Sequence, residues 1–439
     1  MKLQTTIEHQ KPQFTIGYKD TLISIGSCFA DNIGNYLQES LLNIAPNPFG
    51  VMYNPASVLK TLQNIRQNRE CSEQQLQLNN GMYCSPEHHG VFSHPSKQQC
   101  IKNINSALAE AHKVWQKCSV LLLTFGTAWV YQDKQSGEIV ANCHKLPADR
   151  FNRYMLSVDQ IAEMWNKELQ TIRTEKPDLK IIFTVSPIRH WKDGAHGNQL
   201  SKATLLLAID KIKASNPNIE YFPAYEIVLD ELRDYRFYAE DMLHPSSQTV
   251  QYIRETFCKL FMDEASLKTL RSVESYNQSV KHRPLHPDSD EWKKFTQRRE
   301  ENGKKLAIKL LHAGNYSCVI KSGDKLKLFT ERGIKDLYRL YKQQPDTLKD
   351  AFIADKVVGK GAASLMILGG ISEIYSDVIS ENAIKLLEKS NIIHTFAKQV
   401  PHIINRAGVD MCPVEKLCMN AETAQQALPL IEGFINKQQ

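Results

Sequence analysis

No stretch of the 439-residue chain reaches the roughly 18 consecutive apolar residues that a membrane span requires. The opening "MKLQTTIEHQKPQ" has no apolar core of a secretory leader. A membrane protein and an exported one are thereby set aside, and the chain is expected in the cytoplasm. Its ten cysteines form no CxxC pair and are too sparse for a small disulfide scaffold. Most are expected to be reduced and buried, as Cys118 before "SVLLLTFG" and Cys258 in "YIRETFCKLF" illustrate. Proline and glycine are not in excess, at 18 and 20 residues, which excludes a low-complexity or disordered chain. The net charge of +6 is not concentrated. The densest basic runs, "DEWKKFTQRREENGKK" and "KSGDKLKL", carry acids among the bases, so they read as solvated faces and not as a nucleic-acid surface. The histidines of "PEHHGVFSHP" lack carboxylate or cysteine partners at ligand spacing, so no metal site is expected there, and no cofactor motif stands out.

What is present is the alternation of an α/β protein. The length exceeds what one hydrophobic core sustains, so two domains are expected. Up to about residue 270, short apolar runs alternate with segments of helical period, the pattern of a parallel sheet covered by helices. The predicted strands are "TLISIG", "LLNIAP", "SVLLLTFG", "KIIFTVSP" and "IEYFPAYEI", and "WVYQDKQSGEIVANC" predicts a two-stranded excursion turning at Ser136-Gly137. The alternation stops at "KHRPLHPDSDEW". The expected division is a first domain over 1–285, a linker over 286–299 and a second domain over 300–439. The second domain reads as helix, hairpin and helix, then strands "AFIADKVVG", "ISEIYSDVI" and "IIHTFAKQV" with helices between them. No internal repeat joins the halves.

In an open α/β sheet, ligands sit beyond the carboxyl ends of the strands. There the chain places Gly26-Ser27-Cys28, then "NPFGVMYNP", then Gly126-Thr127-Ala128-Trp129, then "SPIRHWKDGAHGNQLSK", and finally "AEDMLHPSS". Asp241 and His244 stand three apart, a spacing that lets the carboxylate fix one imidazole nitrogen and aim the other at a nucleophile, as in an acyl-transfer triad. DxxH alone says little; its weight comes from a small nucleophile at the end of the first strand. Arg189, His190, Asp193, Asn198, Ser201 and Lys202 crowd one connection, and Asn142, Cys143, His144 and Lys145 another. Asn198 or Ser201 would serve equally as a helix cap. Arg189, His190 and Lys202 suit an anionic or hydroxyl-rich substrate.

Together "SIGSCFADNIG", "NPFGVMYNP", "NCHKLPADRF", "SPIRHWKDGAHGNQLSKATL" and "DMLHPS" resemble the GSCFA family of the SGNH (GDSL-like) hydrolase superfamily, over residues 20–285. The resemblance implies a flavodoxin-like three-layer α/β/α fold and ester hydrolysis, or O-acyl transfer, on a small-molecule or glycan acyl ester. It puts Cys28 in the nucleophile slot and Ser27 in the slot of the usual aspartate, with Ser27 as the alternative nucleophile. A helix N-terminus with a histidine in reach is the setting of reactive cysteines. The block that normally offers an oxyanion-hole asparagine reads Gly126-Thr127-Ala128, so backbone N–H groups after the nucleophile and at Gly50, helped by Thr127 or Asn54, are the expected substitutes. His144, Arg189 and His190 are the further substrate-binding candidates. A non-catalytic binding protein that keeps both folds is the competing expectation. Neither the oligomeric state nor the acyl group is legible.

The second half, through "DKVVGKGAASLMI", "ISEIYSDVISENAIKLLEKSNI" and "CPVEKLCMNAETAQQAL", resembles an uncharacterised domain family with a cytidine-deaminase-like fold. A zinc deaminase needs a His or Cys two residues before a Glu, and PCxxC. Gly359-Lys360-Gly361-Ala362-Ala363 has neither, and Cys412 and Cys418 alone cannot complete a tetrahedral site. Ligand binding without zinc, or cysteine chemistry at Cys412 beside Glu415, is what that half can offer.

Overall fold

The computed structural model describes residues 5–331, 333–405 and 407–437, and the chain divides into two compact units, Met1–Asp263 and Glu264–Gln439. The boundary thus falls at 263/264 instead of near 285. The segment read from sequence as the tail of the first domain and a linker is mostly two helices of the second unit. No helix among the described residues is long and apolar enough to cross a membrane.

In the first unit the order is β1 (Thr21–Gly26), α1 (Cys28–Glu39), β2 (Asn43–Pro46), α2 (Pro55–Gln67), a small hairpin β3 (Gln77–Asn79) and β4 (Met82–Cys84), α3 (Lys97–Lys117) and β5 (Val120–Phe125). Then come β6 (Trp129–Asp133), β7 (Ile139–Val140), β8 (Phe151–Met155), α4 (Val158–Glu175), β9 (Lys180–Val185), α5 (Gly194–Ala214), β10 (Ile219–Phe222), α6 (Ala224–Glu226) and α7 (Ser247–Phe261). The main sheet is wholly parallel in the order β10-β9-β5-β1-β2, the flavodoxin-like arrangement with its switch point between β1 and β5. Every residue of β1 and β5 is buried, as expected of strands covered on both faces. Their side chains join Phe125, Trp165 and Phe183, whose rings pack edge-on or tilted, in the main core. The predicted "IEYFPAYEI" strand stops at Phe222 because Pro223 opens a helical turn that widens into a π-turn over Ile227–Leu232. The β6–β7 excursion gains an unexpected third strand, β8, antiparallel to β6.

The second unit begins with α8 (Glu264–Lys281) and α9 (Asp290–Ala313), followed by β11 (Cys318–Ser322), β12 (Lys325–Phe329), α10 (Lys335–Gln343), β13 (Phe352–Val358), α11 (Lys360–Leu368) and β14 (Glu373–Ser380). It ends with α12 (Glu381–Lys389), β15 (Ile393–Val400), α13 (Pro413–Cys418) and α14 (Ala424–Asn436). Its sheet runs β12-β11-β13-β14-β15, with β11 antiparallel to both neighbours and the last three strands parallel. At the N-terminus of α11 the Glu415 carboxylate accepts the Lys360 N–H at 2.5 Å, so the chain's own anion occupies that helix end.

Candidate functional site

β1 ends at Gly26, and its next residue turns the chain straight into a helix. Ser27 is the N-cap of α1: its hydroxyl accepts the Phe29 N–H and it is 1% exposed. Cys28, the first helical residue, is half-buried and its thiol faces the Tyr53 hydroxyl at 3.7 Å. Burial, first, and the neighbouring Cys28 raise the Tyr53 hydroxyl well above its usual range. Tyr53 therefore stays protonated beside the sulfur and is able to donate to it.

The last motif forms the expected pair. Asp241 Oδ2 lies 2.5 Å from His244 Nδ1, while Asp241 Oδ1 accepts the N–H groups of Leu243 and His244 at 2.9 Å each. The two backbone donors and the imidazole hold the Asp241 carboxyl down at about 2. Nδ1 is thereby committed and Nε2 is left for chemistry. Met242, between them, has φ 57°, and its carbonyl accepts from the Arg189 guanidinium, which lies 4.7 Å from the Tyr238 ring centre. Arg189 thus braces the loop that carries the histidine, a role that rests on a backbone atom and has no signature in the sequence.

Cys28 and His244 line one cavity of about 500 Å³, shared with Ser27, Tyr53, Asn54, Thr127, Arg153, Arg189 and His190. No hydrogen bond joins the thiol to the imidazole; such contacts often tighten only with substrate bound. His190 enters from the β9–α5 connection. Its N–H donates to Asn198 Oδ1 at 2.9 Å, its ring meets Tyr53 edge-on at 5.9 Å, and a methyl group on Gly126 would sit 3.3 Å from its Nε2. Burial, first, and then Lys202 push the His190 imidazole down to about 4, so it is neutral in neutral solution.

Gly50, Gly126, Thr127 and Asn54, expected at the oxyanion, are differently employed. The N–H groups of Gly126 and Thr127 both donate to the Tyr53 carbonyl, at 2.7 and 3.0 Å, and that of Gly50 donates to Asn47. Asn54 caps α2, accepting the Ser57 N–H and donating to the Ser57 hydroxyl. These contacts knot the β5 end to the β2–α2 loop, which is why the residues sit together in sequence motifs. By contrast, the Cys28 N–H has no acceptor among the described residues. His144 is not a lining residue: its Nε2 donates to the Ser85 carbonyl at 2.7 Å and braces a loop. Ser201 is no cap either, since it accepts the Ala128 N–H at 2.8 Å.

Lys202, expected at a substrate, is instead 1% exposed, with Nζ donating to the Gly126 and Ser186 carbonyls at 2.7 Å each. It ties together the ends of β5 and β9 beneath the cavity. Burial pushes its ammonium from 10.5 down to about 7. Between those values the unfolded chain holds one proton more than the fold, so this group makes stability rise with pH across that window, by at most about 1.4 kcal/mol per pH unit. Below pH 7 both states are protonated and its contribution is flat. Lys202→Met is expected to abolish that slope and to cost about 1–3 kcal/mol for each carbonyl left without a donor. Urea midpoints of the two proteins at pH 7 and pH 9 measure both effects, and an unchanged pH slope in the variant would contradict them.

Residues 21–257 match the model of the GSCFA family, a span that contains every residue of the cavity. The chain belongs to the GSCFA family. Residues 306–435 match a domain of unknown function, DUF1893. Among solved structures the chain is similar to a DUF1893 family protein from Thermotoga maritima, at 24% identity over 35% of this chain and 95% of that one, with a TM-score of 0.26. It is also similar to a putative platelet activating factor from Streptococcus pneumonia, at 11% identity over 55% and 83%, with a TM-score of 0.30. A third is an acetyl xylan esterase from the rumen bacterium Butyrivibrio proteoclasticus, at 11% identity over 56% and 64%, with a TM-score of 0.28. No curated protein matches the chain.

In this GSCFA protein, the sequence motifs already contained Tyr53 and Asn198, but nothing in their spacing marked one as the neighbour of the thiol and the other as the support of His190. Arg153 stands outside the sequence motifs of the site. It pairs with Asp193 and lies 4.3 Å from the Trp129 ring centre, forming the cavity wall that β6 and β8 build. Among the described residues, no group of three or more His, Cys, Asp or Glu side chains is placed to hold a metal ion.

Proposed function

We propose that the first unit is an SGNH-type hydrolase that cleaves acyl esters through a thioester on Cys28. The observation that carries this reading is the Asp241–His244 pair, closed at 2.5 Å, opening onto the same strand-end cavity as the thiol that starts α1. His244 Nε2 takes the thiol proton as Sγ bonds to the acyl carbon. The oxyanion is held by the Cys28 N–H and by the imidazole N–H of neutral His190, in place of the absent asparagine amide. Collapse breaks the ester bond, and the alcohol leaves with the proton from His244. Water then gives a proton to His244 and attacks the thioester; the C–S bond breaks as His244 returns that proton to sulfur, and the carboxylic acid leaves the thiol restored. An acceptor hydroxyl in place of water would make the same site an O-acyltransferase. For the second unit we propose ligand binding without zinc, since Gly359 to Ala363 offer no ligand.

Acid-quenched turnover of p-nitrophenyl acetate, followed by peptide mass analysis, tests the reading. An acetyl group on the Cys28 peptide that disappears in His244→Ala supports it. Ser27→Ala is expected to retain turnover while losing about 1 kcal/mol of stability with its cap, whereas Cys28→Ser loses most of it. The rival reading, a binding protein that keeps an old fold, draws on the engaged N–H groups of Gly50, Gly126 and Thr127. Absence of both turnover and adduct with any acyl donor would favour it.

A further inference from the structure

The cavity onto which the thiol opens is basic beyond what its own carboxylates neutralise. Setting the imidazoles aside, its charged lining side chains are Arg153, Arg189, Lys192 and Asp193, three cations against one anion. Asp193 is spent on Arg153, and the nearby carboxylate of Asp241 faces His244. Lys192 Nζ donates at 2.8 Å to a neutral partner, the Tyr131 hydroxyl, and Arg189 donates to the Met242 carbonyl. Arg189 Nε is buried with no acceptor, although a buried guanidinium donor ordinarily finds one. Two cations without carboxylate partners, one of them with an orphaned donor, in a cavity whose walls exclude part of the solvent, focus a positive potential on whatever enters.

We infer that the ester this site accepts carries a negative charge, a carboxylate or phosphate, which Lys192 receives in the positive field that Arg189 reinforces. This deepens the ester-hydrolase reading and rests on it for the chemistry, but not for the binding. Lys192 sets the preference as the exposed, movable cation, while Arg189, stacked among Trp191, Tyr235 and Tyr238, supplies the fixed one.

The test separates charge recognition from turnover. Calorimetry compares 4-acetamidobenzoate and N-phenylsuccinamate, amides with the charge on the leaving-group side and on the acyl side, with neutral acetanilide. At least one of the two anions is expected to bind tenfold or more tightly than acetanilide at low salt, with the advantage shrinking as salt rises. Lys192→Met is expected to cut that ratio about tenfold and Lys192→Glu to invert it; whichever anion prevails shows which side of the ester bears the charge. In parallel, kcat/KM for 4-acetoxybenzoate and for p-nitrophenyl hemisuccinate is set against that for phenyl acetate. Anions that bind no better than acetanilide, or a ratio indifferent to Lys192, would overturn the inference, whatever the esters do. Anion-selective binding without any ester turnover would uphold it and sink the hydrolase reading instead.

Discussion

Cys28→Ala is expected to lower p-nitrophenyl acetate turnover by at least about a thousandfold, and His244→Ala by a comparable factor. The two losses should not multiply in the double variant. The reason is geometric: the thiol and Nε2 act as one unit, so once either is gone the other has nothing left to activate or to serve. Asp241→Asn keeps the hydrogen-bonding shape but offers an amide where Nδ1–H needs an acceptor of full charge, so it is expected to fall between wild type and the other two. Asp241 and His244 are both about half exposed, at 46% and 51% of their side chains, and solvent screening softens the loss relative to a buried pair. Steady-state kinetics on the three single variants and the Cys28/His244 double variant decide the matter. Multiplicative losses would mean that the two residues serve separate tasks, and full activity in Cys28→Ala would move the nucleophile elsewhere.

Much of this site was legible because its residues lie where strands end, and strand ends announce themselves through local pattern. The five parallel strands each show a short apolar run, and Gly26-Ser27-Cys28 and Asp241-x-x-His244 each sit within one turn of their element. Roles that depend on contacts between distant segments were not legible. Lys202 reads as a polar residue near a substrate, and only the fold reveals that its stem runs inward to two carbonyls 76 and 16 residues away in sequence. The N–H group of Gly50 looked available because no pattern of side chains shows where a backbone donor points. β8 escaped notice because "FNRYM" carries its pairing partner on β6, some twenty residues upstream, and lacks the apolar run of a core strand. α8 escaped because its 18 residues follow α7 after a break at Met262-Asp263, with no proline or glycine to separate two helices from one.

Gly26→Ala is the substitution on which the site's architecture depends most severely. Gly26 has φ 154°, at the edge of the region that L side chains avoid, and it pairs with Thr124 of β5 in register. A methyl group there would lie 2.2 Å from the Thr124 carbonyl oxygen and 2.7 Å from its Cβ. Backbone of a neighbouring strand cannot swing aside as a long side chain can, so β1 and β5 must part where Asn47 Oδ1 accepts the Gly26 N–H at 2.8 Å and Met52 donates to its carbonyl. Strain, overpacking and disrupted hydrogen bonds together are expected to cost more than about 4 kcal/mol. That is most of the stability of a domain at the lower end of the ordinary range, about 5 kcal/mol. Gly34→Ala is the matched control, because the atoms it meets are the Ser24 hydroxyl at 2.5 Å and the Pro46 Cβ at 2.7 Å, and its cost should stay within about 1–3 kcal/mol. Urea unfolding of the full chain, followed through near-ultraviolet circular dichroism, compares the two. A Gly26→Ala protein that melts within about 1 kcal/mol of wild type would show that the turn tolerates a side chain, and that the glycine is there for the approach of substrate to Cys28 and not for the closure of the sheet.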